Sequence, residues 1–256
     1  MTTRELMVEA SEAPTTATGP RSGRLRTVVP WTPVSLLVMQ AVAFHSARYL
    51  AQRGIRQFVR LSGADGFGAS ADFPARRPCT GVPDTTFVHV APPASRPKAI
   101  SRVCALRHDR TVFNGVLPLL RTHAVETLGR QGPVGILIDD SGPWANNFAD
   151  LQFTLNTLRG WLPPGSAIAL THTTDDNNAV LRQHHRARAT AVLARDGDYP
   201  SRPLPRGQIR SLLEPWPLSE HGLLPTSAFL AELRRTAPST RPFGSYAAIA
   251  LYPEAT

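Results

Sequence analysis

Pro133-Val134-Gly135-Ile136-Leu137-Ile138-Asp139-Asp140 decides the fold class of this chain. Its first six residues carry no charge and show no alternation. That is the pattern of a strand buried on both faces, inside a parallel sheet covered by helices. Two carboxylates follow at once, where the loop after such a strand borders a ligand crevice. Downstream, Asn147–Leu162 has helical spacing and closes on Pro163-Pro164-Gly165, and Ser166–Thr171 is the next strand. Asp176–Ala194 and Pro205–Leu213 read as helices and Ser245–Leu251 as a last strand. Upstream, the spacing predicts a helix over Val116–Arg130 and strands over Ile100–Leu106, Thr85–Ala91 and Arg56–Leu61. Before these, Leu36, Leu37, Val38, Val42, Ala43, Ala47 and Leu50 recur at helical spacing within Val34–Gln52, and Gly54 stops that helix. Strands alternating with helices predict an α/β domain with a mostly parallel sheet.

Composition narrows the function classes. The chain of 256 residues fits one domain, taken as 31–256. Residues 1–30, rich in Thr, Ala, Ser, Gly and Pro, read as a flexible tail. The formal charge is +9, from 28 basic and 19 acidic residues, yet Lys98 is the sole lysine. The arginines are dispersed, which reads as coding bias in a GC-rich genome; no nucleic-acid partner is expected. The apolar run Val34–Phe44 is too short to span a bilayer, so no membrane association is expected. Glu5 and Glu9 precede any apolar stretch and argue against a secretory signal. Cys79 and Cys104 make no disulfide framework, and the expected compartment is a reducing cytoplasm.

Several segments, in order, resemble the actinobacterial S-adenosylmethionine (SAM) methyltransferase-like family, formerly a domain of unknown function. Arg48–Phe58 resembles its "RYLAEEGIRQF", and Leu162–Ser166 with Leu170–Thr174 its "LPPGSYLVLSHAT". Arg206–Leu213, Gly222–Pro225 and Tyr246–Ala250 resemble its later helix, "GLVP" turn and closing strand. The resemblance runs from about Ala47 to the C-terminus. It implies a Rossmann-like class I methyltransferase fold whose C-terminal strand is antiparallel. It also implies a SAM site at the carboxyl ends of the first strands.

The chain departs from the family where SAM would bind. The family's "DIGTG" is Arg60-Leu61-Ser62-Gly63-Ala64 here, so an acid becomes an arginine. Its "VDND" is Val88-His89-Val90-Ala91, without the ribose-binding acid, and a third acid falls at Ala105. The N-terminal "VYDYLLGGKDN" has no counterpart. One lost carboxylate–ribose pair costs about 1.5–3 kcal/mol. No cofactor is therefore expected, with SAM as the alternative, held through Gly63, Asp65 and His89 if it binds.

The candidate site follows. Asp139 and Asp140 can share one proton and leave one carboxylate poised as a base, or can cap the turn that follows. His172 ends the next strand and can shuttle a proton. Arg60, His89, Trp144 and Asn146 are candidate substrate-binding residues, and all these groups are expected around one crevice. His184 and His185 with Asp175 and Asp176 lack metal-ligand spacing and read as a solvated helix; no metal is expected. Three functions fit: a methyltransferase-fold enzyme turned to a SAM-independent ring closure in natural-product biosynthesis, an atypical SAM-dependent methyltransferase, or a non-catalytic subunit of a heteromer. The partners expected are a small-molecule substrate and either a second copy or a pathway protein. Helix Val34–Leu50 is a possible interface in the last case.

Overall fold

A computed structural model of the chain describes residues 4–6, 32–61, 85–90, 132–138, 148–174, 176, 204–234 and 244–253. Its elements are β1 (Arg4–Leu6), α1 (Thr32–Gln52), β2 (Gln57–Leu61), β3 (Thr86–Val90), β4 (Val134–Ile138) and α2 (Phe148–Trp161). There follow β5 (Ala167–Thr173), α3 (Arg206–Leu213), β6 (Leu224–Pro225), α4 (Thr226–Arg234) and β7 (Ser245–Leu251). Among the described residues these strands form one seven-stranded sheet in the order β1-β3-β2-β4-β5-β7-β6. β1, β3, β2, β4 and β5 are parallel, while β7 runs antiparallel to both β5 and β6. Every residue of β4 is buried, as its unbroken apolar run requires.

Side-chain alternation sorts the core into two layers. Val59, Leu61, Ile136, Ile138, Ile168 and Leu170 face α2 and α3, against Leu151, Leu155, Leu158, Ile209 and Leu212. Phe58, Leu137, Ala169, Ala247 and Ile249 face α1 and α4, against Val42, Ala43, Ala47, Leu50 and Phe229. Val42, Ala43, Ala47 and Leu50 of α1 thus pack on its own sheet.

Gly54 ends α1 with φ +92°. Its N–H reaches the Ala51 carbonyl at 3.1 Å and the Ile55 N–H reaches Leu50 at 3.1 Å, the bond pair of a Schellman cap. Leu50 and Ile55 share the same core layer and complete the cap. At Gly135 the requirement is space: a Cβ there would lie 2.7 Å from two ring atoms of Phe58, its partner across the β2–β4 ladder.

Two findings differ from the sequence reading. Arg4–Leu6, inside the segment taken as a tail, pairs in parallel with β3 at the outer edge of the sheet. Three residues without apolar alternation give no strand signal; the open edge of β3 supplies their hydrogen bonds. β6 was read only as part of a turn and α4 was not read at all, since two residues and nine residues leave little periodicity. Strand Ile100–Leu106, helix Val116–Arg130 and nearly all of helix Asp176–Ala194 lie outside the described residues.

Candidate functional site at the carboxyl edge

Parallel strands bring their carboxyl ends to one edge, and the register fixes which residues meet there. Leu61 of β2 lies between Val90 of β3 and Ile138 of β4; one step back, Arg60 lies between His89 and Leu137. Ile138 pairs with Leu170, so β5 continues past it through Thr171, His172 and Thr173. Arg60 is buried, 5% exposed, within the last two residues of β2, and His172 is 2% exposed. Neither is without a partner in the fold.

The faces of these two residues differ. Arg60 alternates with Val59 and Leu61 and stands in register with Leu137, so it belongs to the layer under α1 and α4. His172 stands two residues from Leu170, in the same phase, and pairs with Tyr246, so it belongs to the layer under α2 and α3. The sheet therefore separates Arg60 from His172, where the sequence reading had placed them around one crevice. The period of two along each strand is the reason: the residues sit at the same edge but in opposite phase. His89 is adjacent to Arg60 in register. Asp139 and Asp140 follow Ile138 directly in the chain; they, Trp144, Asn146, Gly63 and Asp65 lie outside the described residues.

Other groups at this edge were not singled out. Thr171 Oγ1 donates to the Ile138 carbonyl at 3.4 Å, the last acceptor before Asp139. Asp176, taken as part of a solvated helix, accepts the backbone N–H of Arg206 at 2.6 Å. It thereby caps α3, whose own N-cap residue, Pro205, gives no side-chain bond. The Arg206 guanidinium donates to the Leu223 carbonyl at 3.1 Å and stands 5.9 Å above the Tyr246 ring, beside His172 in the ladder. A cap supplied from thirty residues away leaves no local motif to read.

Arg159, Arg53 and Glu220, among the described residues, make contacts between elements. Arg159 of α2, buried, donates to the Leu212 carbonyl at the end of α3 and stacks over Trp216 at 5.9 Å; burial lowers its pKa. On the far side, Tyr49 donates to Glu220 at 2.6 Å and Arg53 reaches both oxygens of that carboxylate, at 3.0 and 2.9 Å. The Tyr49 hydrogen bond holds Glu220 down at about 2, while burial and the same bond push Tyr49 up to about 12. Burial lowers the pKa of His45, and the nearby cations Arg234 and Arg48 lower it further. Among the described residues, no group of three or more His, Cys, Asp or Glu side chains could hold a metal ion. No described helix is long and apolar enough to cross a membrane.

Two solved structures share this architecture. That of a candidate methyltransferase from Thermobifida fusca YX matches with a TM-score of 0.65 at 16% identity, over 91% of this chain and 87% of that one. That of a DUF574 family protein from Streptomyces avermitilis MA-4680 matches with a TM-score of 0.60, also at 16% identity, over 91% and 90% of the two chains. No protein-family model and no curated protein matches the sequence. At this identity the likeness establishes the fold: a Rossmann-like, class I methyltransferase fold with a mixed sheet.

Proposed function

We propose that this chain is a methyltransferase-fold enzyme that works on a small molecule at the carboxyl edge without transferring a methyl group. The observation that carries the reading is Arg60. A guanidinium is buried at the end of β2, next in register to His89. In the resembling family these two strand ends carry acids. SAM presents a positive sulfonium, and its ribose hydroxyls are held by a carboxylate in folds of this kind. A fixed cation in register with a histidine does not fit that ligand.

The chemistry left to the edge is proton transfer. Asp139 and Asp140 follow β4, and burial of one carboxylate beside another raises the pKa of one of them. In a ring closure by internal displacement, one aspartate takes the proton from an amine or hydroxyl of the substrate. The freed electron pair attacks a carbon of the same molecule, and the leaving group departs from it with the bonding pair. Arg60, set into the strand, adds positive potential that favours the departing anion. The separation found between Arg60 and His172 makes His172 a wall residue of the opposite layer in this reading.

The test is Asp139→Asn and Asp140→Asn, made separately and assayed on an acyclic substrate that carries both an amine or hydroxyl and an anionic leaving group. Loss of the general base lowers turnover by about 10²–10⁴ in one variant, with the circular dichroism spectrum retained. Near-normal turnover in both folded variants would make the acids caps of the following turn. A second reading, an atypical SAM-dependent methyltransferase, draws on the description of the Thermobifida neighbour.

A further inference from the structure

Helices α1 and α4 lie side by side over one face of the sheet, with Val42 and Ala43 in the same apolar layer as Phe229, Leu230 and Leu233. On the outer side of that seam basic side chains converge. His45 of α1 is half-buried, and the charges acting on its ring are Arg234 of α4 and Arg48 of α1. The His45 ring stands edge-on to Phe44, centroids 5.2 Å apart, and the Arg48 guanidinium lies 6.0 Å above the same Phe44 ring. Arg48 and Arg234 are exposed and make no ion pair or hydrogen bond among the described residues. Three other arginines have acceptors within the chain: Arg53 on Glu220, Arg159 on the Leu212 carbonyl and Arg206 on the Leu223 carbonyl. α1 contains no acidic residue. Glu232 of α4 stands two residues before Arg234, about 200° round the helix, and so does not share its side.

We propose that this cluster binds a dianionic oxyanion, the phosphate of a phosphorylated small molecule, bridged between Arg48 and Arg234 over His45. Like charges gathered without a counter-charge oppose folding, and an external anion removes that cost. Each guanidinium presents paired N–H donors that match two oxygens of such a group. The imidazole adds one N–H when neutral and a full charge when protonated. A carboxylate brings one charge and two oxygens to this set. A phosphate monoester brings nearly two charges and three oxygens, and so matches two arginines and a histidine.

A lipid headgroup carries the same phosphate, but membrane attachment also uses exposed apolar side chains. The large hydrophobic side chain exposed among the described residues is Phe153 of α2, on the other face of the sheet. The seam therefore suits a free ligand. His45 makes the site respond to pH. Burial first, and then Arg234 and Arg48, hold His45 below 6.5 while the site is empty. A bound dianion opposes the two cations and favours the protonated ring. Binding thus takes up a proton, so affinity rises as the pH falls from about 7.5 to about 5.5.

The experiment is a backbone-amide NMR titration of the full chain with inorganic phosphate and with sulfate, at about 20 mM chloride to limit screening. Sulfate stays a dianion throughout the pH range, so its pH dependence reports the protein alone. Wild type is expected to bind both anions with a dissociation constant of about 1 mM or tighter at about pH 6, and sulfate several-fold more weakly at about pH 7.5. The shifts should centre on α1 and α4. Arg48→Gln and Arg234→Gln each weaken binding about tenfold or more, and both positions are exposed, so the fold is kept. His45→Gln keeps binding and removes the pH dependence. Arg210→Gln on α3 makes the same change in net charge and leaves the affinity unchanged. Vesicles of phosphatidylcholine with about one-fifth phosphatidic acid are expected to stay unbound. No saturable shift with either anion up to about 20 mM overturns the proposal, as does a sulfate affinity independent of pH or an equal loss in Arg210→Gln. Vesicle binding that Arg48→Gln abolishes overturns the free ligand in favour of a lipid headgroup.

Discussion

Gly135 shows how one missing carbon fixes a strand pair. The sequence reads it as part of an apolar run, which places β4 but gives no reason for a glycine. That reason is the Phe58 ring, whose atoms would stand 2.7 Å from an added Cβ. Gly135→Ala is therefore expected to destabilise the domain by about 1–3 kcal/mol in denaturant unfolding, the usual effect of overpacking. Phe58→Leu in the same chain should recover part of that loss, because the two positions are coupled. The Tyr49–Glu220 bond makes a second prediction at this scale. Glu220 is depressed to about 2 from 4.5, so its contribution to stability is present above about pH 4.5 and is lost as the pH falls toward 2. Tyr49 is raised from 10 to about 12, so its contribution is present below pH 10 and is lost as the pH rises toward 12. Tyr49→Phe should flatten the alkaline limb of the stability profile and shallow the acid limb. An unchanged profile would contradict the bond.

The long elements were legible because their signals are local. The helix signal over Val34–Gln52 and its stop at Gly54 are a periodicity and a cap, and both stand in the structure. Gly54→Ala should cost about 1–2 kcal/mol, since the position is left-handed and otherwise open. What joins elements was not legible: Asp176 capping α3, or Arg159 reaching the end of α3, spans many residues and leaves no spacing to count. The α1–α4 contact holds another such term. His45 is pushed below 6.5 by burial first and then by Arg234 of α4 and Arg48 of α1. The native state thus binds fewer protons there than the unfolded chain. Stability should fall as the pH drops below about 6.5 toward the lowered native value, and His45→Gln should remove that slope in unfolding measurements at pH 5–7.

For the whole molecule, alternation of strands and helices pointed to a parallel sheet, and the antiparallel β7 followed from the resemblance. The edge strand β1 had no signal, because three residues carry too little pattern. That Arg60 and His172 stand at one end of the sheet was legible, but their faces were not: counting along β2 and β5 brings them to the same end, while the pleat assigns them to opposite faces. The central claim is that this methyltransferase fold does not use SAM. Calorimetric titration of SAM into the full-length chain tests it most directly. The account predicts no saturable heat with SAM at concentrations up to about 1 mM, equivalent to binding weaker than about −4 kcal/mol. A low-micromolar dissociation constant with one-to-one stoichiometry would contradict it.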